Sequence, residues 1–173
     1  MDDQVILVAV GANLAADGFA TPLATCEAAV ARLSDDLDIT VCAVSQWYES
    51  EPVPPSGQPW YVNGVVRVET ALDPAALLAR LHAVEASFGR LRRVRNEARP
   101  LDLDIIDYKG RVERGGEGHP ILPHPRADER LFVLLPLRDV APAWRHPATG
   151  GSVDGMIAEL PADSGAIHPL GST

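Results

Sequence analysis

Apolar residues along this chain fall into short blocks that switch between a strand period and a helix period. The run from Val5 to Val10, VILVAV, is stopped by Gly11 and predicts a buried central strand with a tight turn at GANL. Behind it, Thr21 and Pro22 read as an N-cap and first helical residue. Leu23, Cys26, Ala29, Val30 and Leu33 then recur at helical spacing, with an expected stop within 34–38. Ile39 to Tyr48 alternates as a strand. The next stretch, Glu49 to Trp60, holds four prolines and a glycine, which exclude a helix or central strand. Tyr61 to Thr70 reads as another strand, carrying Asn63 beside Gly64. An amide there either reads a heterocycle or occupies a bulge.

Asp73 as N-cap, Pro74 at the first position and Gly89 as stop frame the clearest helix. Its stripe is Leu77, Leu78, Leu81, Val84 and Phe88, while His82 and Glu85 share a face and read by spacing as two surface polar residues. Residues 101–108 are a strand, and ADERLFVLLPL a short helix with Pro136 near its end. Phe132 in that helix is either core or a stacking face. VDGMIAEL is weakly helical. The order is β-α-β-β-α-β with an α-rich end, which predicts an α+β, ferredoxin-like split βαβ fold: an antiparallel sheet with helices packed on one face. One domain over 1–160 and a peripheral tail over 161–173 are expected.

Composition narrows the function classes. The chain has 173 residues, enough for one domain with a real core, and 46% hydrophobic content is ordinary for a globular protein. Net charge is −9, which disfavours long-range attraction to nucleic acid or anionic membrane. Any anionic ligand must then be held by a local basic patch. Cys26 and Cys42 lack metal-ligand spacing and read as small core residues. The N-terminal apolar run is too short for a signal peptide, and no run approaches a membrane span, so a cytoplasmic protein is expected.

The basic patch is easy to find. Between Gly89 and Tyr108 the chain reads GRLRRVRNEARPLDLDIIDY, with Arg90, Arg92, Arg93, Arg95 and Arg99 just ahead of Asp102 and Asp104. In a strand the two aspartates point to one face, roughly 6–7 Å apart at Cα. Two such carboxylates repel unless a cation lies between them, and the arginines or a metal can supply it. Paired carboxylates suit Mg²⁺, which keeps other positions for water and phosphate oxygens; the guanidinium fork suits phosphate. An isolated Asp-x-Asp is more often two surface residues. Here arginines concentrated in an acidic chain, and aspartates alternating with large aliphatics, favour metal and polyphosphate.

GANL, Tyr61-Val62-Asn63, Glu85 with Gly89-Arg90, ARPLDLDI, Leu-Pro-His124-Pro-Arg and Arg130-Leu-Phe132 follow one another in an order that resembles 6-hydroxymethyl-7,8-dihydropterin pyrophosphokinase, over roughly residues 4–160. The resemblance implies transfer of pyrophosphate from ATP to the pterin hydroxymethyl group, with AMP leaving, in folate biosynthesis. It implies two Mg²⁺ ions on Asp102 and Asp104. Tyr61 and Phe132 would sandwich the pterin, Asn63 would read its edge, and Ser50 to Val53 would lend backbone contacts. Glu85, Arg92, Arg95, Arg99, Ile105, His124 and Arg130 would line the ATP side. Arg90 and Arg92 would act in catalysis from a loop that closes over ATP. Two small-molecule substrates, no nucleic acid, no membrane and a monomer are the expected partner set.

The departures from the family pattern are local. Arg95-Asn-Glu-Ala-Arg99 replaces a common Arg-Trp-Gly-Pro-Arg, His82 stands where glutamine is common, and Glu51 where proline is common. Substrate identity is expected to survive and loop behaviour to differ. A catalytically silent binding module and a two-metal nuclease are the alternatives. The retained aspartates and Arg99 speak against the first, and the acidic balance against the second.

Overall fold

The structure, a computed structural model, describes residues 4–51, 60–89, 101–161 and 166–170. The elements in order are β1 (Ile6–Ala12), α1 (Pro22–Ser34), β2 (Ile39–Val44), β3 (Tyr48–Ser50), β4 (Tyr61–Thr70), α2 (Pro74–Ser87), β5 (Asp102–Tyr108), α3 (Leu131–Val140), α4 (Val153–Glu159) and β6 (Ile167–Pro169). The sheet runs β5-β1-β4-β3-β6, with β2 pairing β4 as well. Every pairing is antiparallel. This is the α+β arrangement the alternating elements predict.

Both long helices begin as their sequences dictate. Thr21 accepts from the Ala24 N–H at the head of α1, and Asp73 from the Ala76 N–H at the head of α2. Each is followed by proline, whose missing N–H has no partner to lose in a first turn. Gly89, just past α2, has φ 86°, the left-handed conformation that ends a helix cheaply only at glycine.

Three boundaries depart from expectation. Gly11 does not turn the chain; β1 continues to Ala12, and Gly11 pairs with both neighbouring strands. The expected strand over 39–48 divides in two. β2 lies against Val66–Thr70 and β3 against Tyr61–Asn63, so the two share one edge of β4 end to end. The helix expected over 127–137 is a single 3-10 turn at Ala127–Glu129 followed by α3, with Pro136 inside it. Pro136 is buried, and its apolar contacts offset the lost bond to the Phe132 carbonyl.

The helices cover both faces of the sheet and not one. Odd and even residues of a strand face opposite ways. Ile6, Val8 and Val10 of β1 pack with Cys26, Ala29, Leu33, Leu77 and Leu81 of α1 and α2. Leu7, with Val65 of β4, packs with Val133, Leu134 and Leu137 of α3 and Val153 and Met156 of α4. Residues 167–169, placed by the sequence in a peripheral tail, form the outermost strand, on the far side of β3.

Candidate active site

The cleft lies on the α3 face, where the side chains of β1 shrink along the strand from Leu7 to Ala9 to Gly11. The register sets Gly11 opposite Asp102 on one side and opposite Asn63 on the other. Asp102, Gly11 and Asn63 therefore form one row across three strands. With strands ~4.8 Å apart, the carboxylate and the amide rise about 10 Å from each other, over a floor without a side chain. One step along, Ala9 separates Asp104 from Val65. A Cβ on Gly11 would lie 2.6 Å from the Asn63 Oδ1, so glycine is required for the amide to sit where it does.

Asp102 and Asp104 stay half-buried while Leu103 and Ile105 between and beyond them are buried in the core on the other face. β5 is an edge strand, and two groups satisfy its outer side. Glu85 of α2, only 1% exposed, accepts from the Leu103 N–H at 2.7 Å. The Ile106 carbonyl accepts from the His124 N–H at 2.9 Å. That bond brings His124 beside the aspartates. Alternation keeps Ile106 on the cleft side with Asp102 and Asp104, and a register shift between Leu7 and Val8 makes it a bulged residue, so that Asp107 comes to the same face opposite Leu7.

The cleft is lined by Asp102 and Asp104 on one side, Asn63 on the other, and His124, Arg130 and Phe132 above. Burial first, then the Arg130 charge, pushes the His124 pKa down, against the pull of Asp102. Its Nδ1 accepts from the Arg126 N–H at 3.2 Å, which leaves Nε2 to carry the proton. His124 thus enters neutral chemistry as an uncharged donor. The positive charge in the described wall is Arg130, whose pKa burial lowers while Asp104 and Asp102 support it. Its guanidinium stands 5.4 Å from the Phe132 ring centre, which fixes both groups.

Asn63 donates from Nδ2 to the Ser50 Oγ at 3.2 Å, which orients the amide. Tyr61, two residues before Asn63 on β4, projects to the same face. The structure thus gathers Asp102, Asp104, His124, Arg130, Phe132 and Asn63 into one cleft, with Ser50 and Tyr61 on its β3–β4 flank. Ile105 does not join them: its side chain is 3% exposed in the core beneath, leaving only backbone for a ligand. Glu85 is no surface residue; it parts from exposed His82 and is buried against β5. Val53, Arg90, Arg92, Arg95 and Arg99 lie outside the described residues. Spacing did not single out the floor, Ala9 and Gly11. The one signal for it was the falling size of alternate β1 side chains.

The donor chemistry fits a hard divalent cation. Among the described residues no group of three His, Cys, Asp or Glu gathers anywhere, so Asp102 and Asp104 would be the protein's share of the ligands. Two carboxylates with other positions open is the set Mg²⁺ takes when phosphate oxygens complete its shell.

The model of the 7,8-dihydro-6-hydroxymethylpterin-pyrophosphokinase family matches residues 7–142. A 2-amino-4-hydroxy-6-hydroxymethyldihydropteridine pyrophosphokinase of Synechocystis is 37% identical over 144 residues, 83% of this chain and 71% of that protein. The like-named protein of Pseudomonas aeruginosa is 36% identical over 165 residues, 91% of this chain and 93% of its own. That of Bacillus subtilis is 38% identical over 126 residues, 73% and 74% of the two chains. Among solved structures, Plasmodium falciparum HPPK-DHPS with pteroate superposes with TM-score 0.67 at 11% identity, a likeness of fold alone. The match takes in 90% of this chain and 44% of that one. With the aspartate strand, the Asn63 amide and the elements from β1 through α3 inside the matched span save for Ile6 at its edge, the chain belongs to the 7,8-dihydro-6-hydroxymethylpterin-pyrophosphokinase family.

Proposed function

We infer that this chain transfers pyrophosphate from ATP to the hydroxymethyl group of 6-hydroxymethyl-7,8-dihydropterin and releases AMP, a step of folate synthesis. The observation that carries the reading is the row Asp102–Gly11–Asn63, which sets the first carboxylate of the aspartate pair and the Asn63 amide on opposite walls of one cleft. Asn63 would read the pterin edge, and Phe132 and Tyr61 would offer ring faces to it. Ser50 holds the amide in one orientation. Arg130 and neutral His124 would bind phosphate oxygens, the first by charge and the second by its Nε2–H.

Asp102 and Asp104 would hold Mg²⁺, which supplies neutralisation of phosphate charge and acidification of the attacking hydroxyl. Arg90, Arg92, Arg95 and Arg99 would add positive charge for the polyphosphate, Arg90 and Arg92 in the catalytic step. Phosphoryl-type transfer rewards in-line positioning and charge neutralisation over covalent help, and every group in this set does one or the other. No helix among the described residues is long and apolar enough to cross a membrane. A cytoplasmic monomer acting on two small molecules completes the proposal.

The test is AMP release from ATP and Mg²⁺ with and without the pterin. Pterin-dependent AMP is expected, with Asp102→Ala and Asp104→Ala each lowering turnover about a thousandfold or more while the far-UV spectrum is unchanged. ATP binding without AMP release would identify a silent binding module instead. Full turnover in either variant would remove the metal assignment.

A further inference from the structure

The span matched by the family model ends at 142, yet the chain returns to the cleft beyond it. β3, three residues long, is held by β4 on one side; β6 supplies the other side, with Ser50 opposite Ile167, Glu49 opposite His168 and Tyr48 opposite Pro169. Two backbone bonds close the ends of this pairing. The Glu51 N–H donates to the Ala166 carbonyl at 3.0 Å, and the Leu170 N–H donates to the Trp47 carbonyl at 2.8 Å. Side chains add to them. His168 Nε2 is 3.3 Å from Glu49 Oε2, and the Trp60 and His168 ring centres are 5.9 Å apart.

The strand thus grips Glu51 and Trp60, the described residues that flank 52–59. It also braces Ser50, whose hydroxyl accepts from Asn63, and Trp47, whose ring stands 2.7 Å from where a Cβ on Gly64 would lie. Every one of these contacts falls on the amide side of the cleft. None falls on Asp102, Asp104, His124 or Arg130.

We propose that residues 166–170 are a positioning strap for pterin recognition, fixing β3 so that Ser50 holds the Asn63 amide ready to read the heterocycle. The proposal rests on the pterin reading given above. An unbraced three-residue strand frays, and the Asn63 amide then samples orientations that the ligand must select against, which weakens binding of that ligand alone. The strap differs from a general stabiliser in this asymmetry between the two substrates.

The experiment compares the full chain, a chain ending at Pro161, Leu170→Pro, which removes the N–H given to Trp47, and Leu170→Ala, which keeps it. Steady-state kinetics, pterin and ATP dissociation constants by calorimetry, and thermal unfolding are measured on each. The truncated chain and Leu170→Pro are expected to raise pterin KM and Kd about fivefold, with ATP constants and kcat within about twofold and Leu170→Ala near the full chain. Unchanged pterin constants, or pterin and ATP constants rising together, would overturn the strap. Should the truncated chain fail to fold, Leu170→Pro against Leu170→Ala decides alone. A full chain that makes no pterin-dependent AMP would refute the reaction, and the pterin Kd would still judge the strap.

Discussion

At the scale of single residues, Gly11 decides whether a carboxylate wall and an amide wall can face each other. Any side chain there meets Asn63 Oδ1, with a Cβ 2.6 Å away. The obstacle is the end of a side chain and not backbone, so Asn63 can swing aside and the fold survives. Gly11→Ala is therefore expected to cost under about 1 kcal/mol of stability and to raise pterin KM about tenfold. Thermal unfolding and steady-state kinetics measured on one preparation check both halves; an unaltered pterin KM would detach Asn63 from the pterin. Asp107, in contrast, is a residue of the scaffold. It is 1% exposed, and burial raises its pKa against hydrogen bonds from the Trp144 indole at 2.7 Å and the Gly110 N–H at 3.0 Å. The bulge at Ile106 turns it toward α3 and α4, where Trp144 anchors the chain after α3.

At the scale of elements, the aspartates are placed by what satisfies the outer edge of β5. An edge strand offers unpaired N–H groups, and the Leu103 N–H, between the two aspartates, is taken by a buried carboxylate from α2. Glu85→Ala leaves that N–H without its acceptor. We expect it to lower stability by about 2 kcal/mol and kcat about tenfold, because the strand bearing Asp102 and Asp104 shifts. Glu85→Gln retains an acceptor and should recover most of the stability. Urea unfolding with turnover measured at saturating ATP makes the comparison. A Glu85→Ala protein with normal kcat and a raised ATP KM would instead make Glu85 a direct nucleotide contact, the role implied by the family resemblance.

At the scale of the whole molecule, one carboxylate oxygen of α3 ties the cleft's β3 flank to the helical layer above it. The Tyr48 hydroxyl donates to Asp139 Oδ2 of α3 at 2.9 Å, and the Gln46 N–H joins the same oxygen at 3.2 Å. Burial, helped by the Asp139 carboxylate, pushes the Tyr48 phenol up to about 12. The folded state then holds this proton more tightly than the unfolded chain, whose tyrosines titrate near ~10. The resulting stability is complete below that pH and is lost as pH rises through the folded value of about 12. Tyr48→Phe should show a flatter fall of Tm above about pH 10, since the linked proton is gone. Parallel alkaline limbs in the two proteins would refute the linkage.

The sequence by itself determined the elements whose cause is local. Thr21-Pro22, Asp73-Pro74 and Gly89 set the helix ends through backbone geometry and capping, which need no distant partner. Alternation put Asp102 and Asp104 on one face of β5, and the order of motifs gave the family. The divided strand was not legible, because β2 and β3 differ only in which half of β4 they meet. Nor was the second helical face, since apolar residues in α3 fit a core on either side of the sheet. The burial of Glu85 and the return of residues 167–169 to the β3 edge were likewise decided by tertiary structure. Each depends on an unpaired backbone group presented by a strand distant in sequence, and such a group exists only once the sheet has formed.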